Sequence, residues 1–570
     1  MARWNLRELN ELPSGFATNT HPLIAKLLYS KGFQTEEGLQ SFVAPNYEKD
    51  VLDPFLFRDM KKAVERIQRA RDQREKVVIF GDYDADGVTS SAILKETLDK
   101  LGIESEVYIP DKRTEGYGMN MAAIDSFKEK VLSLIITVDC GITNIKEVAR
   151  AKEHGIDVII TDHHHVPEEV PEAFAIINPH QKDCGYPFAD LAGVGVAFKL
   201  VQALFQRLLE KDKEQTRWML DLVAIGTVAD CVDLVGENRI FVKYGLIVLS
   251  KTRRMGLHEL FTVGRMMIDE TNVPDTKKIS FYIAPRINAA GRINHANLAY
   301  DLIMSDNVAK ARELALELEA SNIQRQKITE QIVSEVRVLA NNSFKDKKFI
   351  FATSEHFSIG IVGLVAGKIA QEFNKPTAII QKGETESKGS FRSIPKINII
   401  ETIGQCSDLL LKYGGHSQAA GISVENAKTE AFYEKMNALI EQQLDGVELV
   451  EEINIDAELL PADVDFALTD SLEKLKPFGE GNGEPIFLMR NLIVRERKII
   501  GSTNKHVKMF LSVKDGNPKI FEAISFNGAE RFASILENDC IDIVCTVAKD
   551  EWNGSKKIQL TLLDAKHFGE

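Results

Sequence analysis

The chain has 570 residues, 44% hydrophobic and 27% charged, with 84 acidic against 70 basic side chains and a formal charge of −14. That composition suits an ordinary globular protein, and at about 150 residues per domain the length predicts roughly three to five domains. The acidic excess argues against a histone-like binder that coats DNA with its whole surface, and leaves room for a nucleic-acid enzyme with one local basic channel.

The first stretch, MARWNLRELNELPSG, is charged throughout, so no secretory signal is expected there. No apolar run approaches the roughly 18 residues of a membrane span. The longest are pieces such as Val131–Val138, interrupted by Ser133 and Thr137. The six cysteines, Cys140, Cys184, Cys231, Cys406, Cys540 and Cys545, form no CxxC pair. Reduced core thiols in a cytoplasmic protein are expected, and structural zinc is not.

Residues 1–75 read as mostly helical, with helix formers at helical spacing over 61–76. The pattern then changes. Short apolar runs at 77–80, 133–139 and 156–162 alternate with helices from Val88 and over 144–154, which predicts a parallel α/β sheet. Helices are expected at 196–211 and 216–228. A stretch at 307–340 without Gly or Pro predicts one helix about 50 Å long, and a helix that long and polar bridges two lobes. A second α/β region covers 346–445, with strands at 348–353 and 376–380, a helix near 361–373 and a glycine-rich loop at Gly414–Gly421. The remainder, 450–570, alternates in short strands that suit a small β-barrel.

Chemistry concentrates at the ends of the first strands. In GDYDADG (81–87), Asp82, Asp84 and Asp86 stand at alternate positions directly after a strand. Three carboxylates pointing one way repel unless a cation neutralises them. An EF-hand loop also begins D-x-D-x-D-G, but its twelfth position needs Glu and here holds Ile93. TVDCG places Asp139 at a second strand end. TDHHH places Asp162, His163 and His164 at a third, and AIGTVADCVDL adds Asp230. In an open parallel sheet, sites form at the carboxyl ends of strands. An oxygen-rich set with one or two imidazoles suits Mg²⁺ or Mn²⁺ better than zinc, and could hold two ions of the kind that assist phosphoester hydrolysis. AGVGVAF (192–198) carries Phe198 where a dinucleotide fingerprint needs its third glycine, and it comes too late in the domain, so NAD binding is not expected.

GDYDADGVTS, TVDCGI, TDHHH and TVADCVDL resemble the four motifs of the DHH phosphoesterase superfamily. PDKRTEGYGMN (110–120), APRINAAGRI (284–293), SIGIVGLVAGKI (358–369), GSFRS (389–393), YGGHSQAAG (413–421) and KPFGEGNGEPIF (476–487) extend the resemblance along nearly the whole chain to its RecJ family, single-strand-specific 5′→3′ DNA exonucleases. The resemblance implies an N-terminal helical extension (1–75), a DHH phosphoesterase domain (76–302), a linking helix (303–345), a DHH-associated substrate-binding domain (346–448) and an OB-fold domain (449–570). It implies two divalent cations, Mn²⁺ or Mg²⁺, held by Asp84, Asp86, Asp139, His163 and Asp230, with Asp82 either a further ligand or a group just behind the ligands. Many members carry His four residues before the D-x-D pair, where this chain has Phe80. His164 is expected to contact the scissile phosphate and Asp162 to orient a histidine. Arg113, Ser390 and Arg392 match a group for a 5′-terminal phosphate. Arg286, Asn288 and Arg292, read as a loop, are expected at the next phosphates, and Gly415 and His416 beside them. Lys505, His506 and Lys508 are candidates for a track on the barrel. The expected partner is single-stranded DNA, with a helicase or single-strand-binding protein in addition, for a monomer acting in repair and recombination. The alternatives are a DHH phosphodiesterase for short oligonucleotides or cyclic dinucleotides, against which the added β region speaks, and a non-catalytic DNA-binding scaffold, against which the intact ligand set speaks.

Overall fold

The computed structural model describes residues 2–16, 20–112, 114–513, 519–552 and 555–569. The chain forms two compact units, one of residues 52–232 and 241–449, the other of 1–51, 233–240 and 450–570.

The larger unit contains two sheets joined by one helix. Its first sheet has five parallel strands in the order Ser105–Tyr108, Val77–Gly81, Leu134–Val138, Asp157–Thr161, Ala175–Ile177. The three central strands are almost wholly buried, as expected of parallel strands covered on both faces. All three end at the same edge, which places the carboxylate loops side by side. The helix after the first of them starts at Ala85 rather than Val88, because Asp84 caps it. The segment near 210–228 begins as a 3₁₀ turn, Glu210–Met219, before the α-helix Leu220–Ala229.

Val308–Asn342 is a single helix of 35 residues, about 52 Å at 1.5 Å per residue. Ala311, Leu314, Ala315 and Leu318 are buried in its first half, where it packs on the helices Met255–Val263, Ala284–Ile293 and Asn297–Met304. Ile332, Val333, Val336 and Ala340 enter the core of the second sheet. That sheet runs Leu410–Gly415, Ala419–Glu425, Glu386–Arg392, Thr377–Lys382, Ile350–Ser354, antiparallel except for the last pair. The glycine-rich segment expected as a loop is thus a hairpin, with only 416–418 at its tip.

In the smaller unit, five strands close into a barrel: Phe487–Ile500, His506–Val513, Ile520–Ser525, Ser555–His567, Cys540–Trp552, and back to the first. The helix Phe466–Leu475 and the N-terminal helices Pro22–Ser30 and Glu36–Val43 share its apolar core. Residues 1–51 therefore fold with the barrel, and their helical pattern is preceded by a strand, Arg3–Leu6, paired in parallel with Glu452–Ile455. Four residues are too few to show a period. Trp4 anchors them by donating its indole N–H to Asp564 at 2.8 Å, under the Lys566 ammonium.

Candidate active site

The site is assembled by three strand ends and two helix termini. Asp84 accepts hydrogen bonds from the amides of Asp86 (2.9 Å) and Gly87 (3.1 Å), which fixes the turn from strand to helix. Asp86, in the first turn, accepts from the amides of Gly193 and Val194, both at 2.8 Å, and so ties the start of the helix Gly193–Leu208 to the acidic loop. Asp139 has a left-handed backbone, φ 61°. The helix approaches it so closely that a Cβ at Gly193 would lie 2.4 Å from its Oδ1. His163 points its Nε2 between Asp139 Oδ1 (3.2 Å) and Asp230 Oδ2 (3.5 Å), the latter at the end of the helix Leu220–Ala229.

Asp82 Oδ1, Asp139 Oδ1, Asp230 Oδ2 and His163 Nε2 are all buried without a hydrogen-bond donor or acceptor. Buried polar atoms are seldom left so. Ligand atoms cluster in three groups: Asp82 with Asp84 and Asp139; Asp86 with His163 and Asp230; Asp139 with His163 and His164. Desolvation, and then neighbouring carboxylates, push Asp82, Asp139 and Asp230 well above the usual aspartate range and Asp86 to about 7. Desolvation, followed by the charge of His164, lowers His163 to about 4, so its imidazole is neutral and available as a ligand. An acidic, mostly oxygen donor set that cannot ionise unaided fits hard divalent cations. Phe80 is fully buried against Tyr108 and Phe127. The first group is accordingly all carboxylate.

Asp162 is fully buried and accepts from the amides of Ile142 (2.9 Å), His163 (2.8 Å) and His164 (3.0 Å). Its Oδ1 also lies 2.7 Å from His164 Nδ1. Burial opposes the charged forms of both groups, but this contact overrides it, lowering Asp162 and raising His164.

A cationic flank faces the carboxylates. Ser390 Oγ accepts from Arg392 at 3.0 Å, and Arg292 donates to the Gly360 carbonyl at 3.0 Å. Burial, then Arg292, lowers both Arg392 and Lys112, and for Lys112 the charges of Asp82 and Asp84 work against that lowering. Lys112 stands 4.7 Å over the ring of Tyr83, between Asp82 and Asp84 in the chain. The hairpin register carries Gly415 and the exposed His416 to the same end of the sheet as Arg392. Arg113 lies outside the described residues.

One expectation needs correction. RINAAGR is not a loop but part of the helix Ala284–Ile293, opened by a proline in its first turn. Its glycine serves close approach, since a Cβ at Gly291 would lie 2.9 Å from the Tyr83 carbonyl. Within that helix, Arg286 and Asn288 have partners in the protein. Arg286 forks onto Glu319 (2.5 and 3.1 Å) and donates to the Tyr282 carbonyl. Asn288 Oδ1 accepts the Ala85 amide at 2.7 Å, holding the acidic loop. The sequence reading also missed Lys112, Tyr83, Tyr117 and the Gly193–Val194 amides. The amides leave no side-chain trace, and Lys112, Tyr83 and Tyr117 stand inside GDYDADG and PDKRTEGYGMN with no spacing that singles them out.

This arrangement is that of a DHH phosphoesterase, and three family models match in order: the DHH family N-terminal domain over residues 76–227, the DHHA1 domain over 346–443 and the RecJ OB domain over 455–564. The chain is 38% identical over 546 residues to the single-stranded-DNA-specific exonuclease RecJ of Bacillus subtilis, covering 95% of this chain and 68% of that protein. It is 32% identical to RecJ of Haemophilus influenzae, covering 96% and 97%. The structure of Thermus thermophilus RecJ in complex with Mn²⁺ superposes with a TM-score of 0.82 at 28% identity, covering 99% of this chain and 79% of that one; the same protein with Mg²⁺ gives 0.75. The chain belongs to the RecJ family.

Proposed function

We infer that the chain is a metal-dependent exonuclease that degrades single-stranded DNA from the 5′ end to 5′-mononucleotides in repair and recombination. The observation that carries the chemistry is the convergence of four buried, unpartnered ligand atoms from Asp82, Asp139, Asp230 and His163. Asp84 and Asp86 complete the set. When bound, two Mn²⁺ or Mg²⁺ ions supply Lewis-acid charge for phosphodiester hydrolysis. The protein's own part is to orient the strand and manage protons. Ser390, Arg392, Arg292 and Lys112 hold the 5′-terminal phosphate, with Gly415 and His416 beside it. His164, oriented by Asp162, hydrogen-bonds the scissile phosphate. Water adds to phosphorus, the P–O3′ bond breaks, and the 3′-oxygen leaves with a proton. The domain limits we propose are 76–302, 303–345, 346–448 and 449–570, with residues 1–51 folded onto the last, which contributes a single-strand track. A cytoplasmic monomer working with a helicase or single-strand-binding protein fits this reading.

The test is digestion of 5′- and 3′-labelled single strands with Mn²⁺, Mg²⁺ or EDTA. Label should leave the 5′ end first as mononucleotide, duplex should persist, and EDTA should stop the reaction. Release beginning at the 3′ end would overturn the reading. A second measurement tests the terminal-phosphate pocket. Arg392→Ala should slow a 5′-phosphorylated strand by about 10- to 150-fold, the worth of a charged hydrogen bond, and hardly affect a 5′-hydroxyl strand. Equal losses on both would place Arg392 elsewhere on the strand.

A further inference from the structure

We propose that Tyr117 is a positioning residue for the hydrolytic reaction, setting the orientation of the His164 imidazole through its hydroxyl. The proposal rests on the reading of His164 as the group that meets the scissile phosphate. One hydrogen bond fixes a point, and a ring held only by Asp162 at Nδ1 could still swing about that contact. The Tyr117 hydroxyl supplies a second point. It lies 3.1 Å from His164 Nδ1 and 3.5 Å from Nε2, and donates to the Asp139 carbonyl at 3.3 Å. The two rings meet edge to face with centroids 5.5 Å apart. Tyr117 thus joins the imidazole to the backbone of a residue whose carboxylate faces the metal ligands. Asp139 itself sits in a left-handed conformation, so its carbonyl direction is set by the fold.

The segment that carries Tyr117 is built to hold it still. Glu115 accepts from the Tyr108 hydroxyl at 2.5 Å, from the Asp111 amide at 2.7 Å and from the Asn120 side chain at 3.0 Å. On the other side, the Asn144 side chain pairs with both backbone groups of Met119, each at 3.2 Å. Gly118, with φ 78°, lets the chain pass Asn144, whose Oδ1 would lie 2.7 Å from a Cβ there. The phenol is therefore presented at a fixed place beside His164 before any strand arrives. An ordinary phenol keeps its proton at neutral pH, so it donates to Asp139 while its oxygen rests against the edge of an imidazole whose Nδ1 already bonds Asp162.

The experiment is a double-mutant cycle in steady-state kcat and KM on a 5′-phosphorylated single strand, with Tyr117→Phe, His164→Ala and the pair. Tyr117→Phe keeps the ring and removes only the hydroxyl. It should lower kcat about 3- to 10-fold, with KM, Mn²⁺ affinity and melting temperature unchanged. In the His164→Ala background it should cost nothing further. Full additivity in that background, an unchanged kcat in Tyr117→Phe, or a change confined to KM would each overturn the proposal. Unimpaired hydrolysis by His164→Ala would instead overturn the reading of His164 on which it rests. Where His164→Ala is too slow to measure, the split between kcat and KM in Tyr117→Phe decides.

Discussion

Asp139→Asn is expected to abolish hydrolysis while making the metal-free protein more stable. Asp139 belongs to two of the three ligand groups and contributes an oxygen that no protein donor satisfies. Losing its contribution removes several kcal/mol of charge stabilisation, so the rate should fall by about a thousandfold or more. Without metal the same carboxylate is a burden, because desolvation and its neighbours Asp86, Asp84, Asp82 and Asp230 all oppose its ionisation. An isosteric amide removes that repulsion. In EDTA at neutral pH the variant should melt above the parent, and Mn²⁺ should raise the parent by far more than the variant. A parent indifferent to Mn²⁺, or a variant that still hydrolyses DNA, would contradict the metal assignment.

The same electrostatics predict a pH dependence. A carboxyl whose folded pKa lies above its unfolded value binds more protons when folded, so stability falls as pH rises between the two values. For Asp86 that window runs from 3.8 to about 7. A shift of that size corresponds to roughly 4 kcal/mol. Asp82, Asp139, Asp230 and the raised His164 act in the same direction. His163, lowered to about 4, acts in the opposite direction between about 4 and 6.5, as does the lowered His180 beside it, two groups against five. Metal-free protein should therefore lose denaturant resistance from pH 4 to 7, and saturating Mn²⁺ should flatten or reverse the slope.

These features were unequally legible in the sequence. The acidic motifs announced themselves because a strand end forces its next residues to one edge of a parallel sheet, so Asp82, Asp84, Asp139 and His163 could be grouped before any distance was known. The long helix was legible for the same kind of reason, a local pattern without breakers over 35 residues. What depended on partners far along the chain was not. Gly291 looked like a loop glycine, yet it serves the approach of a helix to Tyr83. Arg286 looked like a phosphate ligand, and its partner Glu319 stands 33 residues away on another helix. Tyr117 reads as an ordinary loop aromatic until the fold brings it to a histidine 47 residues on.

Arg239 carries this point into stability, and Arg239→Ala should cost the smaller unit about 3–5 kcal/mol, the loss expected when a buried charged donor is removed from its acceptors. It lies on the helix Gly236–Leu249 and is 1% exposed. Its guanidinium donates to the carbonyls of Phe42 (3.0 Å), Leu475 (2.7 Å), Lys474 (3.0 Å), Lys476 (2.9 Å) and Pro477 (3.4 Å), and stacks 4.1 Å over the Phe42 ring. Burial lowers it only to about 10, so it stays charged at neutral pH. It therefore binds the end of the helix Phe466–Leu475 to the N-terminal helix Glu36–Val43 by donors that neither segment supplies. Asn482 also donates to the Leu475 and Pro477 carbonyls, at 2.9 and 2.8 Å, so the loss falls most heavily on Phe42, Lys474 and Lys476. Arg239→Lys should recover less than half, because an ammonium is a point donor and cannot span five carbonyls. The exposed pair Arg337–Glu372 is the contrast: although it is two-pronged, at 2.6 and 2.9 Å, Arg337→Ala should cost under about 1 kcal/mol. Denaturant midpoints give the ranking, and hydrogen exchange should show faster opening at 42–44 and 474–482 in Arg239→Ala. Equal midpoints for the two alanine variants would mean that the carbonyls around Arg239 are satisfied without it.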